Sequence, residues 1–193
     1  VERRPALGCL VEVVETLVLT LIIFLVIQNF VAQPYQVQQN SMEQTLEPGQ
    51  YVLVDKLTPR WDAYNRGDVV VFNPPVSWTD DRTPFIKRVI GLPGETVEIR
   101  DDGLVHIDGI ALDEPYVFSV SGLTNAGDQA RWTIAEDQMF VLGDHRDKSA
   151  DSRVFGPIAS ADVVGRAFLR YWPLSTFGIL ETPSFPALEP ATP

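Results

Sequence analysis

The stretch Thr96-Val97-Glu98-Ile99-Arg100-Asp101-Asp102-Gly103-Leu104-Val105-His106-Ile107 decides the fold class. Val97 and Ile99 alternate with Glu98 and Arg100, Asp-Asp-Gly interrupts, and Val105 and Ile107 resume the alternation around His106. Period-two alternation on both sides of a Gly-containing turn predicts a β-hairpin with one buried face.

Outward from this hairpin, short β-rich runs recur at 51–54, 69–72, 85–90, 139–142 and 163–171. Turn residues separate them, among them Pro48-Gly49, Arg66-Gly67-Asp68, Pro93-Gly94 and Asp108-Gly109. Nothing long after Pro34 carries a helical period, and no internal repeat is visible. Strands this short and frequent predict a mainly β, partly barrel-like antiparallel domain over residues 34–180. Polar stretches 78–84 and 119–131 read as surface loops. The Pro-rich tail, residues 181–193, reads as lacking packed structure.

Residues 10–31 read differently. The run is overwhelmingly apolar, and 16–27 carries no charge. The twenty-one residues from Leu10 to Phe30 span roughly 30 Å as a helix, the thickness of a hydrocarbon core. Glu12 and Glu15 shorten the uncharged part, a length that also suits a buried core helix or the apolar region of a signal peptide. No small-x-small cleavage site follows, since Phe30 stands where a small residue is wanted. The expectation is an uncleaved transmembrane helix after a short cytoplasmic segment, residues 1–9. Arg3 and Arg4 precede the helix and no further Lys or Arg occurs until Lys56, so the N-terminus is expected in the cytoplasm and the β domain outside.

Composition narrows the chemistry. The 193 residues carry 15 Lys+Arg against 26 Asp+Glu, a formal charge of −11. Such acidity argues against a nucleic-acid-binding surface, which needs a basic patch. The single cysteine, Cys9, allows no intrachain disulfide and no thiolate metal cage. With only His106 and His145 available, and no HExxH or EF-hand spacing, no metal site is expected. No phosphate-cradling Gly loop is present, so no cofactor is expected either.

Two residues remain. Ser41 lies in Gln38-Gln39-Asn40-Ser41-Met42-Glu43-Gln44-Thr45-Leu46, about ten residues past the helix. Taken alone it reads as an ordinary surface hydroxyl. Lys87 lies in Phe85-Ile86-Lys87-Arg88-Val89-Ile90, where alternation groups it with Phe85 and Val89. Burial among them would lower its pKa, whereas a lysine that snorkels to water would keep it. The difference matters for chemistry: a free lysine, pKa ~10.4, is neutral roughly once in 2,500 molecules at pH 7. Bringing it near neutrality costs roughly 4 kcal/mol and creates a competent base.

Four ordered blocks then resemble the type I signal peptidase (leader peptidase) family, bacterial and organellar Ser–Lys proteases. They are Asn40-Ser41-Met42-Glu43-Gln44-Thr45-Leu46; Arg66-Gly67-Asp68-Val69-Val70-Val71-Phe72; Lys87-Arg88-Val89-Ile90-Gly91-Leu92-Pro93-Gly94-Glu95; and Gly143-Asp144-His145-Arg146-Asp147-Lys148-Ser149-Ala150-Asp151-Ser152-Arg153-Val154-Phe155-Gly156. The resemblance runs from the helix to about Trp172. It implies Ser41 as nucleophile, Lys87 as general base, and Ser149 as the hydroxyl that hydrogen-bonds and orients the amine. Asp144, Asp147, Asp151 and Arg153 match a charged cluster that holds the last block. Tyr35, Val37, Met42, Leu46, Phe85 and Ile86 match walls of pockets for small side chains one and three residues before the cut.

The chain also departs from the pattern. Gln38-Gln39-Asn40 replaces the commoner Pro-Ser-Gly, so the oxyanion donors become the Ser41 N–H and, in place of a serine hydroxyl, Gln39. Gln44 stands where Pro is usual, which loosens the turn, and His145 and Lys148 replace two asparagines. The implied activity is removal of signal peptides from translocated preproteins at the lipid bilayer, in a bacterial-type cell membrane. Three other readings compete: a Ser–His–Asp hydrolase using His145, a non-catalytic tethered β domain that binds partners, and a self-cleaving regulator, which would need a DNA-binding head where this chain has an anchor.

Overall fold

The computed structural model describes residues 5–126 and 130–188. Helix α1 runs Pro5–Val26 and continues as a π-helical turn, Ile27–Val31. Its described part already includes Pro5–Cys9, ahead of the expected residue 10. Thr16, Thr20 and Asn29 bond back to carbonyls four residues earlier, at 2.8 Å each, which satisfies polar side chains without solvent. Most of the apolar span Gly8–Val31 stands clear of the β domain, which reaches it at Phe30 and Val31, at the end of the span. One N-terminal helix of this length and apolarity fits membrane anchoring.

The remainder is mainly β. Strands β1 (Ala32–Gln36), β2 (Tyr51–Asp55), β3 (Val69–Phe72), β4 (Phe85–Gly91), β9 (Gln138–Leu142), β10 (Ile158–Ala159), β11 (Val163–Trp172) and β12 (Gly178–Ile179) form one antiparallel sheet. Its order is β1-β2-β11-β3-β4-β9-β10, with β12 beside β11, and it curls into a half-barrel. A second sheet, β7-β6-β5-β8, contains the decisive hairpin: β5 (Thr96–Ile99) pairs with β6 (Val105–Ile107), flanked by β7 (Ile110–Ala111) and β8 (Arg131–Thr133). The runs at 51–54, 69–72, 85–90, 139–142 and 163–171 are strands to within a residue at either end. Strands β1, β7, β8, β10 and β12 carry no clear apolar alternation in the sequence and are fixed by their pairing partners.

Strand β3 shows why the interior holds. Val69 and Val71 enter a cluster with Val37, Met42, Leu46, Val52 and Val54. Val70 and Phe72 enter another, on the opposite face, with Val89, Met139, Val141 and Ile158. A continuous apolar run is therefore buried on both faces. A third cluster joins Ile90, Phe140 and Leu142 to the inner face of the hairpin, Val97, Ile99, Val105 and Ile107.

One loop expectation is corrected. The stretch 78–84 is not wholly surface, because Trp78 is only 7% exposed, edge-on to Phe72 at 5.6 Å and stacked on Phe155 at 5.0 Å. An indole surrounded by polar sequence still gains more from burial than from water. Among the described tail residues, 181–188, most are exposed and only Phe185 is buried. Phe185 joins the third cluster, and Thr182 Oγ1 donates to Asp68 Oδ1 at 2.9 Å. Residues 189–193 of the tail, and 127–129 of the second loop, lie outside the described residues.

Candidate active site

Ser41 sits in a 3₁₀ turn, Asn40–Met42, after extended Gln39. The turn is held from below. Met42 is 1% exposed and Leu46 fully buried, and the Leu46 N–H donates to the Met42 carbonyl at 2.7 Å. Thr45 Oγ1 donates to Asp144 Oδ2 at 2.6 Å. The Ser41 carbonyl accepts the His145 N–H at 3.0 Å, which ties the turn to the last motif block. Gln44 takes φ +76°, a value closed to proline, and its N–H donates to Glu47 Oε1 at 3.0 Å. A side-chain bond thus closes the turn that the resemblance would close with a ring.

Lys87 comes from β4. Neighbour β3 pairs along Phe85–Arg88, but β9 pairs with β4 only from Arg88 onward. The other edge of Phe85–Lys87 faces the Ser41 turn. Lys87 Nζ donates to Ser41 Oγ at 2.7 Å and to the Ile86 carbonyl at 3.2 Å, and the residue is fully buried. Burial lowers its pKa to about 8; Asp151 and Asp144 oppose the shift and Arg153 adds to it. The desolvation that removes water from the ammonium thus outweighs the neighbouring carboxylates.

Both carboxylates are already committed. Arg88 forks onto Asp144, Nε to Oδ1 at 2.9 Å and Nη2 to Oδ2 at 2.6 Å, with both side chains buried. Asp151 caps helix α2 (Ser152–Phe155), accepts the Gly143 N–H at 3.0 Å and pairs with Arg153 Nε at 2.8 Å. Arg153 Nη2 also reaches the Arg146 carbonyl at 2.7 Å and the Ser149 carbonyl at 3.2 Å. Asp147 accepts the Val120 N–H at 2.6 Å. These bonds fasten the loop around Lys87.

Residues 10–172 match the signal peptidase family, peptidase S26. The chain belongs to this family. It is 35% identical over 181 residues to probable signal peptidase I-2 of Synechocystis, covering 93% of this chain and 81% of that one. Against signal peptidase IB of Staphylococcus aureus it is 33% identical over 183 residues, covering 87% and 92%. A solved signal peptidase I from Enterococcus faecalis V583 is 35% identical, spans 54% of this chain and 97% of its own, and superposes with a TM-score of 0.43. Family membership makes this chain a peptidase.

In this signal peptidase family member, the remaining candidates divide. Val37, Met42 and Ile86 line a cleft beside Ser41, together with Gln39, Thr83 and Pro84. Leu46 and Tyr35 pack in the cluster beneath it. Phe85 does not line this cleft; it lies on the strand face of Lys87, packed against Phe72, with its ring 5.2 Å from Lys87 Nζ. Ser149 lies beside Gly143. Its hydroxyl is buried and makes no hydrogen bond among the described residues, so the amine bond implied for it is not formed. The Lys87 amine is instead turned toward Ser41 Oγ and the Ile86 carbonyl.

His145 Nδ1 lies 2.8 Å from Glu43 Oε2, and its ring packs on Phe118 at 4.6 Å. It meets Ser41 through its backbone and not through its ring. Sequence reasoning passed over Arg88 and Arg146, both 2% exposed; Arg146 pairs with Glu114 and bonds the Gly143 carbonyl. Two adjacent cations inside an apolar strand, Lys87-Arg88, were the available signal for the first. Among the described residues no group of three or more His, Cys, Asp or Glu is arranged to hold a metal.

Proposed function

We propose that this chain is a membrane-bound serine endopeptidase that removes N-terminal signal peptides from translocated preproteins, with Ser41 as nucleophile and Lys87 as general base. The carrying observation is the 2.7 Å contact between the two reacting atoms, with the amine fully buried. A neutral Lys87 takes the Ser41 proton as Oγ forms its bond to the scissile carbonyl carbon. The Ser41 N–H stabilises the oxyanion, with the Gln39 amide as second donor. The C–N bond breaks as Lys87 returns the proton to the leaving amine, leaving an acyl ester on Ser41. Lys87 then deprotonates a water, whose oxygen displaces Ser41 and releases the new carboxyl terminus.

Val37, Met42 and Ile86 form apolar parts of the wall of a narrow cleft beside Ser41, which supports acceptance of small side chains one and three residues before the cut. The open edge of β4 offers main-chain bonds to an extended substrate. The helix holds the domain at the bilayer where signal peptides emerge. Arg3 and Arg4 before it support a cytoplasmic N-terminus and an extracytoplasmic domain. The test is cleavage of a preprotein by the full chain in vesicles, beside Ser41→Ala and Lys87→Ala. Each variant is expected to lose cleavage entirely while keeping its thermal unfolding midpoint, and cleavage that survives in either overturns the proposal.

A further inference from the structure

Cations of this acidic protein are mostly spoken for: Arg66, Arg88, Arg100, Arg146 and Arg153 each meet a carboxylate. Lys56 and Arg60 do not, among the described residues. The Lys56 amine bonds only the neutral Gln33 amide, at 3.2 Å. The Arg60 guanidinium lies 5.9 Å over the Phe30 ring. Both line one cleft, whose walls include Pro59, Ala63, Tyr64 and Val164. Trp61, next in the chain to Arg60, is 71% exposed.

The position of this pair relative to a bilayer follows from covalent and hydrogen-bonded geometry. The apolar span closes at Val31, and the Lys56 N–H donates to the Val31 carbonyl at 2.9 Å. A headgroup layer is about 5–7 Å thick on each side of the hydrocarbon. Groups this close to Phe30 and Val31 therefore stand in that layer at any tilt of the β domain. Tryptophan and arginine are the side chains that gain most there, and the rest of the domain, with its excess of carboxylates, is repelled by an anionic surface. Asp55, Asp62 and Asp162 adjoin residues of this pair or of the cleft wall in the chain. Asp55 accepts the Leu57 and Thr58 N–H groups and Asp62 lies 3.9 Å from Arg166.

We propose that this cleft binds the phosphate of an anionic glycerophospholipid, held by Lys56 and Arg60 with the lipid body against Trp61 and the apolar wall, and that this contact sets the domain on the bilayer. The inference rests on the membrane-anchor reading. The test places the full chain in nanodiscs of phosphatidylcholine doped with brominated phosphatidylglycerol or brominated phosphatidylcholine. Quenching of Trp61 is read as the difference between the native chain and Trp61→Phe. Phosphatidylglycerol should reach half-maximal quenching at about thirtyfold lower mole fraction, the worth of about 1 kcal/mol for each of two cations at a membrane surface.

Lys56→Gln combined with Arg60→Gln should abolish that preference while the chain stays in the disc. Equal quenching by both lipids, or a preference that survives the double change, overturns the proposal. Loss of the preference on adding inorganic phosphate at constant ionic strength assigns the cleft to a free anion and overturns it as well. A chain that does not enter nanodiscs at all sinks the anchor reading itself.

Discussion

Glu43 and His145 are joined at 2.8 Å, carboxylate Oε2 to imidazole Nδ1, and Lys148 Nζ approaches the same oxygen at 3.6 Å. The two positions at which the last block departs from the family pattern thus converge on one carboxylate, two residues beyond Ser41. His145→Ala and Glu43→Ala are each expected to lower kcat about tenfold, and the double variant no further than the worse single one, since they share one contact. His145→Asn, whose amide can donate to Glu43, should recover most of the loss. Abolition by His145→Ala alone would indicate a histidine base.

The pH dependence follows from Lys87. Its neutral form is the base, and burial lowers its pKa to about 8. Activity should therefore rise with pH, tenfold per pH step well below 8, and level off above it. The measurement is kcat/KM for a preprotein across neutral to alkaline pH. A rise that continues to the ordinary lysine range would show an amine still in water.

Gly143 has no room for a side chain. A Cβ there would stand 2.3 Å from Ser149 Oγ and 2.5 Å from the Ser41 carbonyl oxygen. Gly143→Ala should cost about 1–3 kcal/mol in unfolding free energy and displace the nucleophile. The loss is read from the denaturant midpoint of the full chain in detergent and from kcat, and a variant with native kcat would contradict the arrangement.

Arg88→Met leaves Asp144 buried without its fork, and Thr45 alone bonds it. The expected cost is about 3–5 kcal/mol of stability. Combining Arg88→Met with Asp144→Leu should recover much of it, because the uncompensated charge is then gone. Chemical unfolding of the three variants measures this, and a double variant less stable than Arg88→Met refutes it.

Much of the architecture was legible because strand periodicity and apolar length are local properties. Val97–Ile107 announced a hairpin, and the run ending near Val31 announced a helix. The short strands β1, β10 and β12 were not legible, since their pairing is decided by neighbours distant in sequence. The burial of Trp78 and Phe185 was not legible for the same reason. Each sits among polar residues or prolines, and only packing from elsewhere buries it.

The amino-acid order determined that a helix would lead into a β domain, that motif blocks would occur in one order, and that Lys87 would share a strand face with Phe85 and Val89. Tertiary structure alone decided that its amine would be dry and would lie against a hydroxyl 46 residues away, and that Ser149 would face Gly143 without bonding the amine. The reason is that alternation assigns a side chain to a face, whereas desolvation depends on what covers that face. Here the cover is the Ser41 turn and the Asp144–Arg153 loop, brought to β4 by bonds that no single segment encodes.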